Sequence, residues 1–503
     1  MKKTIAFIMA VLMLGLTLAG CSGDGSGGKA KDTVTVLGTV STDSFNPFSS
    51  SIMEDWVKFA LFDRLIRFDE NGGYQPMLAE SWTEESDGLT ITLNLRRGMK
   101  SHDGEEINAD DVIFSIDTMF SVPNYYYLAT YMASWEKVDD YTVKIVKGGA
   151  YCETLNLLVT SIPVVSKEAY ERLGAEGFGA APVGTGPYTF SEKGADGTVT
   201  LKAYAEYWDG KPAFETLKVK APIDISTAVV ALQNGEIDVM IGVPSAQWNT
   251  VKSEDKLVLD TTVGWGAMTL GFMNGMKDDV NLRKAIYHGI NRQSAITVAT
   301  EGTAVEARDI YSARTMKELA GTFDVPGYDA ELAKDYLAKS NYVAGTPLRI
   351  TVSGADQVAV AQSIQNDMNQ IGINIQIEQV DMNAFSSMLQ NGELDLFLSQ
   401  MGLATVATID MLFYWESDNP LWGPQIAHDA EYDELCRQMR VETDHEKLME
   451  LAHRAMEIQY GLANHLGIYE TVNSVAHSKD ISGIYAIDAA AFAYNPGLLK
   501  PAN

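Results

Sequence analysis

The chain has 503 residues, 46% of them hydrophobic, which is enough to build several sizeable cores. Its 67 acidic residues outweigh 38 lysines and arginines, and the formal charge of −29 repels phosphate backbones and argues against nucleic-acid binding. With only 3 cysteines there is no disulfide framework.

Lys2 and Lys3 precede an apolar run over residues 5–19, shorter than the roughly 20 residues a membrane-crossing helix needs. The run reads as the core of a secretory signal. Leu18-Ala19-Gly20-Cys21 follows and resembles the bacterial lipobox. Residues 1–20 are therefore predicted to be a signal peptide, and Cys21 the lipid anchor. A diacylglyceryl group on Cys21 gives stable attachment where a single acyl chain does not. Residues 21–32, rich in Gly and Ser, predict a flexible tether. The expected location is extracytoplasmic, on the outer face of the cell membrane. Cys152 and Cys436 are expected to be free, buried thiols.

Residues 33–40 (TVTVLGTV) read as a strand, followed by a loop at 41–51. Residues 55–68 carry apolar positions at helical spacing and end at the turn cluster 69–73. Strands are predicted at 89–95, 141–146, 198–203 and 217–221. Asn108, Asp110 and Asp111 predict a helix start ahead of Val112, Ile116 and Met119. Residues 226–232 read as a helix stopped by Asn234-Gly235. The second half predicts helices at 281–290, 329–340, 358–370 and 382–389, with Gly372 and Gly392 as C-terminal stops. Strands at 348–353, 373–380 and 394–399 alternate with them, a pattern that predicts a parallel α/β sheet.

Within residues 78–117 stand Leu78-Ala79-Glu80-Ser81-Trp82, Leu95-Arg96-Arg97-Gly98, His102-Asp103-Gly104 and Ala109-Asp110-Asp111-Val112. Gly184-Thr185-Gly186-Pro187-Tyr188, Tyr207-Trp208-Asp209-Gly210-Lys211-Pro212, Gly235-Glu236-Ile237-Asp238 and residues 281–292 (NLRKAIYHGINR) follow in order. This series resembles the family 5 extracellular solute-binding proteins, the dipeptide, oligopeptide and nickel receptors of ABC importers. Departures from the family pattern include Ser101 where a Phe is usual, Asn291 in place of an acid, and Met401-Gly402-Leu403-Ala404 where Gly-Trp and an Asp-Pro stretch are common. Read locally, Trp82 and Trp208 are packing residues, and Gly184 and Gly186 supply backbone freedom.

The resemblance implies a periplasmic-binding-protein-like α/β fold of the class II, cluster C type, with two lobes, a ligand cleft between them and an extra subdomain in the first. The expected division is 33–275 plus 480–503 for lobe I, with the subdomain inserted at approximately 60–180, and 276–479 for lobe II. A peptide-like solute would bind in the cleft, and lobe closure would present it to an ABC permease and its ATPase. The receptor is expected to be a monomer that uses no cofactor, metal or catalytic residue. Loops that follow strands supply the candidate ligand contacts: Phe45, Trp265, Met401, Leu403, Asp410, Phe413, Tyr414, Trp415 and Trp422. In peptide-binding relatives an aspartate of this stretch pairs with the ligand's ammonium, a role the resemblance offers to Asp410. The competing readings are a receptor for a nickel chelate, an oligosaccharide or a signalling peptide, and more remotely a secreted hydrolase. The seven histidines form no tight ligand pair, and no nucleophile elbow, zinc-protease motif or phosphate loop is present.

Overall fold

Alternating β-branched stretches, cut by glycine and asparagine turns, build a large mixed sheet. The computed structural model describes residues 31–502 apart from 50, 52, 123–130, 324, 326, 403–407 and 487–493. The predicted signal peptide, Cys21 and Leu403 lie outside the described residues. Among those described, no helix is long and apolar enough to cross a membrane.

The strands are β1 (Thr33–Leu37), β2 (Ile66–Phe68), β3 (Tyr74–Pro76), β4 (Ala79–Glu84), β5 (Thr90–Leu95), β6 (Met132–Asp139), β7 (Thr142–Lys147), β8 (Tyr188–Lys193), β9 (Val199–Ala203), β10 (Thr216–Lys220), β11 (Val239–Ile241), β12 (Leu257–Phe272), β13 (Val305–Glu306), β14 (Pro347–Val352), β15 (Asn374–Gln379), β16 (Leu396–Met401) and β17 (His465–Ser478). The main sheet runs β15-β14-β16-β12-β17-β11-β1-β10-β9-β8, with β13 beside β17. The parallel pairing expected for the strands of the second half is present. β1 pairs in parallel with β10 and β11, and β14 with β15 and β16, but β12, β17, β9 and β8 join antiparallel. The reversal comes from β12 and β17, which connect the two parallel groups as long neighbouring strands.

One end of β17 pairs Val475, Ala476 and His477 with β11; its other end faces the stretch of β12 that pairs with β16. Around β14, β15 and β16 the helices Val280–Gly289, Arg292–Thr300, Ala330–Leu337 and Ala355–Ile371 close one core. Around β11 the helices Ile225–Asn234 and Ser245–Lys252 close a smaller one. A separate antiparallel sheet, β4-β5-β7-β6, packs beneath the helix Ala109–Ser121. That helix starts at a full capping box, in which Asn108 and Asp111 satisfy each other's backbone N–H groups.

The helix predicted over 55–68 is shorter than its periodicity suggests. It ends at Leu61, and Ile66–Phe68 is a strand. Asp63 and Arg64 break it by turning inward. The Asp63 carboxylate accepts from Tyr207 Oη at 3.0 Å and Trp208 Nε1 at 2.6 Å, while Arg64 donates to the Val159 and Tyr494 carbonyls at 3.1 and 2.9 Å. Burial raises the Asp63 pKa to about 7, and these donors and the neighbouring arginines oppose it. The Gly184–Gly186 turn lies against this bend, so close that a Cβ on Gly184 would run into the Leu61 carbonyl oxygen. His102 locks the turn from outside: Nδ1 accepts from the Gly184 N–H at 3.1 Å, and Nε2–H donates to the Gly186 carbonyl at 3.0 Å.

Candidate ligand cleft

Two surfaces meet beside the strands that join the halves of the main sheet. The first is the segment 150–153, leading from β7 into the helix Thr154–Thr160. The second comprises residues 312–319, the short helix Thr408–Leu412 with the turn Phe413–Trp415, and the N-terminal end of the helix His445–Leu462. Local chemistry fixes each piece. Ser312 caps its helix through a hydrogen bond from the Thr315 N–H, and Asp444 accepts from the Lys447 N–H.

Across the gap, the Tyr151 ring meets the Phe413 ring edge-on, with centroids 5.0 Å apart. Arg440, ion-paired with buried Glu416, places its guanidinium over the Phe413 ring, 4.2 Å from the centroid. The Lys317 ammonium reaches Glu153 at 2.6 Å. Lys317 does so from a backbone φ of 48°, a left-handed conformation costly for a side chain with a Cβ. Glu318 hydrogen-bonds His445 at 3.0 Å. Between these contacts lies a cavity of about 130 Å³.

The predicted residues divide among several environments. Asp410 is buried at this interface. Burial first, and then the Asp410 charge, push the Cys152 thiol up to about 12, and both push the Tyr151 hydroxyl up as well. Phe413 lines the gap, and Tyr414 next to it is 41% exposed. Trp415 turns inward: its Nε1–H donates to Tyr311 Oη at 2.6 Å, and its ring lies 4.1 Å from His465 and 5.4 Å from Trp422. Trp422 also packs 6.0 Å from Phe397. Phe45 is buried away from these residues, 4.3 Å from Phe190.

Trp265 was expected in a loop after a strand; it lies inside β12 instead. There the register against β17 shifts between Val263 and Ala267, forming a bulge. The indole is buried, 6.3 Å from Phe68 and beneath Arg314, and its N–H has no hydrogen-bond partner among the described residues. Its carbonyl accepts from Ser312 Oγ at 2.9 Å and Thr315 Oγ1 at 2.6 Å. Met401 stands opposite Ala267 in the adjoining strand. Tyr151, Glu153, Lys317 and Arg440 were not among the sequence candidates. Nothing in their local sequence marks a cleft residue, because each acquires its partner from a segment distant in the chain. Among the described residues no cluster of His, Cys, Asp and Glu is arranged to hold a metal ion.

Residues 73–421 match the model of the bacterial extracellular solute-binding proteins, family 5. Di/tripeptide-binding protein 2 of Pseudomonas aeruginosa (strain UCBPP-PA14) is 26% identical, over 90% of this chain and 92% of its own. Glutathione-binding protein GsiB of Shigella flexneri serotype 5b is 25% identical, over 94% of this chain and 95% of its own. Two solved structures share the fold. The substrate-binding protein CtaP of Listeria monocytogenes has a TM-score of 0.81 at 21% identity, covering 94% of this chain and 100% of that one. The periplasmic binding protein DppA of Helicobacter pylori, in complex with the peptide STSA, has a TM-score of 0.74 at 22% identity, covering 94% and 98%. Two α/β lobes around a cleft, the ordered sequence blocks and the family match over most of the chain lead to one assignment: this chain belongs to the bacterial extracellular solute-binding proteins, family 5.

Proposed function

We propose that the protein captures a peptide-like solute between its lobes and, once closed, presents it to an ABC permease and its ATPase. The observation that carries this reading is the pair of contacts across the cleft, Tyr151 to Phe413 and Glu153 to Lys317, which can form only when the two surfaces come together. A ligand touching both surfaces is bound more tightly by the closed form and shifts the population toward it. Relatives named for di- and tripeptides and for glutathione support a peptide-like guest. The lobes are taken as 33–275 with 480–503, carrying an inserted subdomain at approximately 60–180, and 276–479. Cys21 carries the lipid that holds a monomeric receptor on the membrane surface, and no bond of the solute is made or broken.

The test combines a peptide panel with two readouts. A binding peptide at 100 times its Kd should raise stability by about 2.7 kcal/mol. The same peptide should shrink the radius of gyration in solution scattering. Binding without contraction would refute the closure mechanism, and no stabilisation by any peptide would refute the solute class. Cys21→Ser should release the protein from membranes and abolish its labelling by palmitate.

A further inference from the structure

The turn between β4 and β5 makes a contact of a different kind with the facing surface. Within it the Glu85 N–H donates to the Thr90 carbonyl at 2.8 Å, and the Gly88 N–H to that of Glu85 at 3.1 Å. Asp87 braces the turn: its carboxylate accepts from the Leu89 and Thr90 N–H groups at 2.9 and 2.8 Å and from Thr90 Oγ1 at 2.7 Å. Opposite, at the entry to the helix His445–Leu462, the Glu442 carboxylate accepts from the Thr443 and Asp444 N–H groups at 3.0 and 2.9 Å. Each side is thus held by a carboxylate bound to its own backbone. A Cβ added to Gly88 would stand 3.0 Å from the Thr443 carbonyl oxygen and 3.9 Å from Thr443 Cβ.

Gly88 has a φ of 68°, a left-handed conformation that by itself favours glycine. Gly98 has a φ of 71°, yet among the described residues nothing lies within 4 Å of the place its Cβ would take. Backbone conformation accounts for glycine at 98; at 88 the facing carbonyl adds a second demand. The Tyr151–Phe413 and Glu153–Lys317 contacts join side chains, which can change rotamer as the surfaces approach. A braced turn against a backbone carbonyl yields far less. We propose that the Asp87-Gly88 turn is the stop against which the two surfaces close, and that Gly88 is the positioning residue that lets them come near enough for both side-chain contacts to form. The assignment rests on the capture reading above and deepens it, by naming the residue that sets how far the lobes shut over the solute.

The test combines a cross-link with a matched pair of alanine substitutions. The Cβ atoms of a disulfide lie about 3.5–4.5 Å apart, and positions 88 and 443 fall within that range. A Cys21→Ser chain carrying Gly88→Cys and Thr443→Cys should therefore form a disulfide with oxidised glutathione, which takes up the electrons and protons the thiols release. Thiol titration in denaturant should then find only Cys152 and Cys436. The bridged chain should keep one radius of gyration with and without alanine tripeptide, and reduction should restore the contraction. Gly88→Ala should weaken binding of the same peptide about fivefold or more, the effect of forcing a methyl into a packed contact. Gly98→Ala carries the same backbone penalty and should leave binding within about twofold. A thiol pair that stays reduced overturns the proposal, as does a bridged chain that still contracts, or equal affinities in the two alanine variants. The bridge forms without a ligand, so it decides the proposal even where the tripeptide does not bind. A formed bridge together with no binding by any peptide would refute the solute class and leave the stop standing.

Discussion

His465, at the start of β17, should make the protein sensitive to acid in a way one substitution removes. The ring is buried among Trp415, Phe397 and Trp422, at centroid distances of 4.1, 5.6 and 6.3 Å. Neither ring nitrogen has a partner at hydrogen-bond geometry among the described residues. Burial depresses its pKa to about 3, against an opposing effect from the Asn464 backbone. The imidazole is therefore neutral in the folded protein. In the unfolded chain it titrates near 6.5, so between those values the unfolded state binds more protons and stability falls as pH falls. His465→Leu keeps similar volume and removes both the proton site and two unpartnered nitrogens. At pH 7.5 the variant should match the wild type or exceed it by up to about 2 kcal/mol, because a buried unsatisfied polar group costs roughly 1–3 kcal/mol. Below pH 6.5 its advantage should grow by about 1.4 kcal/mol per pH unit, adding roughly 2.7 kcal/mol by pH 4.5. Urea unfolding followed by tryptophan fluorescence at a series of pH values measures the difference, and the many surface carboxylates cancel between the two proteins. A difference that stays constant from pH 7.5 to 4.5 would refute the reasoning.

Three further outcomes follow from the geometry. Gly184→Ala should cost upwards of about 3 kcal/mol, because the new Cβ meets backbone at Leu61 and the His102 bonds to the turn are lost with it; an unchanged denaturation midpoint would contradict this. Lys317→Glu should weaken ligand affinity two- to fivefold by setting like charges across the cleft, a size typical of partly exposed pairs, and adding Glu153→Lys should restore it. Failure of the charge swap to rescue would show that the pair does not couple the two surfaces. Cys152 and Cys436 are both buried, and burial raises the Cys152 thiol to about 12. In a Cys21→Ser chain neither should react with a thiol reagent at pH 8 until denaturant is added, and prompt labelling of the native protein would argue against that burial.

Much of the framework was readable because its signals are local. Gly235, Gly372 and Gly392 all close helices in the left-handed conformation that glycine adopts without penalty, and each was marked as a stop by its position after an apolar run. Most predicted short strands came within a residue or two of their place for the same reason, although β1 ends at Leu37 and not at residue 40. What could not be read was set by distant partners. Periodicity alone extends the helix at Asp55 to residue 68, but Asp63 and Arg64 have hydrogen-bond partners among residues 159–208 and at the C-terminal end, and these override the local pattern. β12 is half-exposed along its first part and continuously buried from Gly264 onward, so neither half shows the alternation that announces a strand. The aromatic run at 413–415 was identified as a unit, but a tight turn sends its members three ways. Phe413 faces Tyr151, Tyr414 faces solvent, and Trp415 enters the core against His465. Residue type gives no warning of that division.

At the bulge in β12, three backbone carbonyls are hydrogen-bonded by side chains instead of by the neighbouring strand. Over residues 264–266 the ladder to β17 is interrupted, and side chains take over its work. Thr471 Oγ1 donates to the Gly266 carbonyl at 2.8 Å, Ser312 and Thr315 donate to that of Trp265, and Arg314 Nε donates to that of Val263 at 3.1 Å. A ladder bond between two strands fixes both backbones, whereas a hydroxyl on a rotatable side chain can follow a carbonyl as it turns. Glycines flank Trp265 for a packing reason: a Cβ at 264 would strike Asn473, and one at 266 would strike Gln400. The residues that hold the bulge, Ser312 to Thr315, run directly into Lys317, which meets Glu153 across the cleft. The segment 312–319 thus touches the bend, a wall of the cavity and the opposite surface within one short stretch.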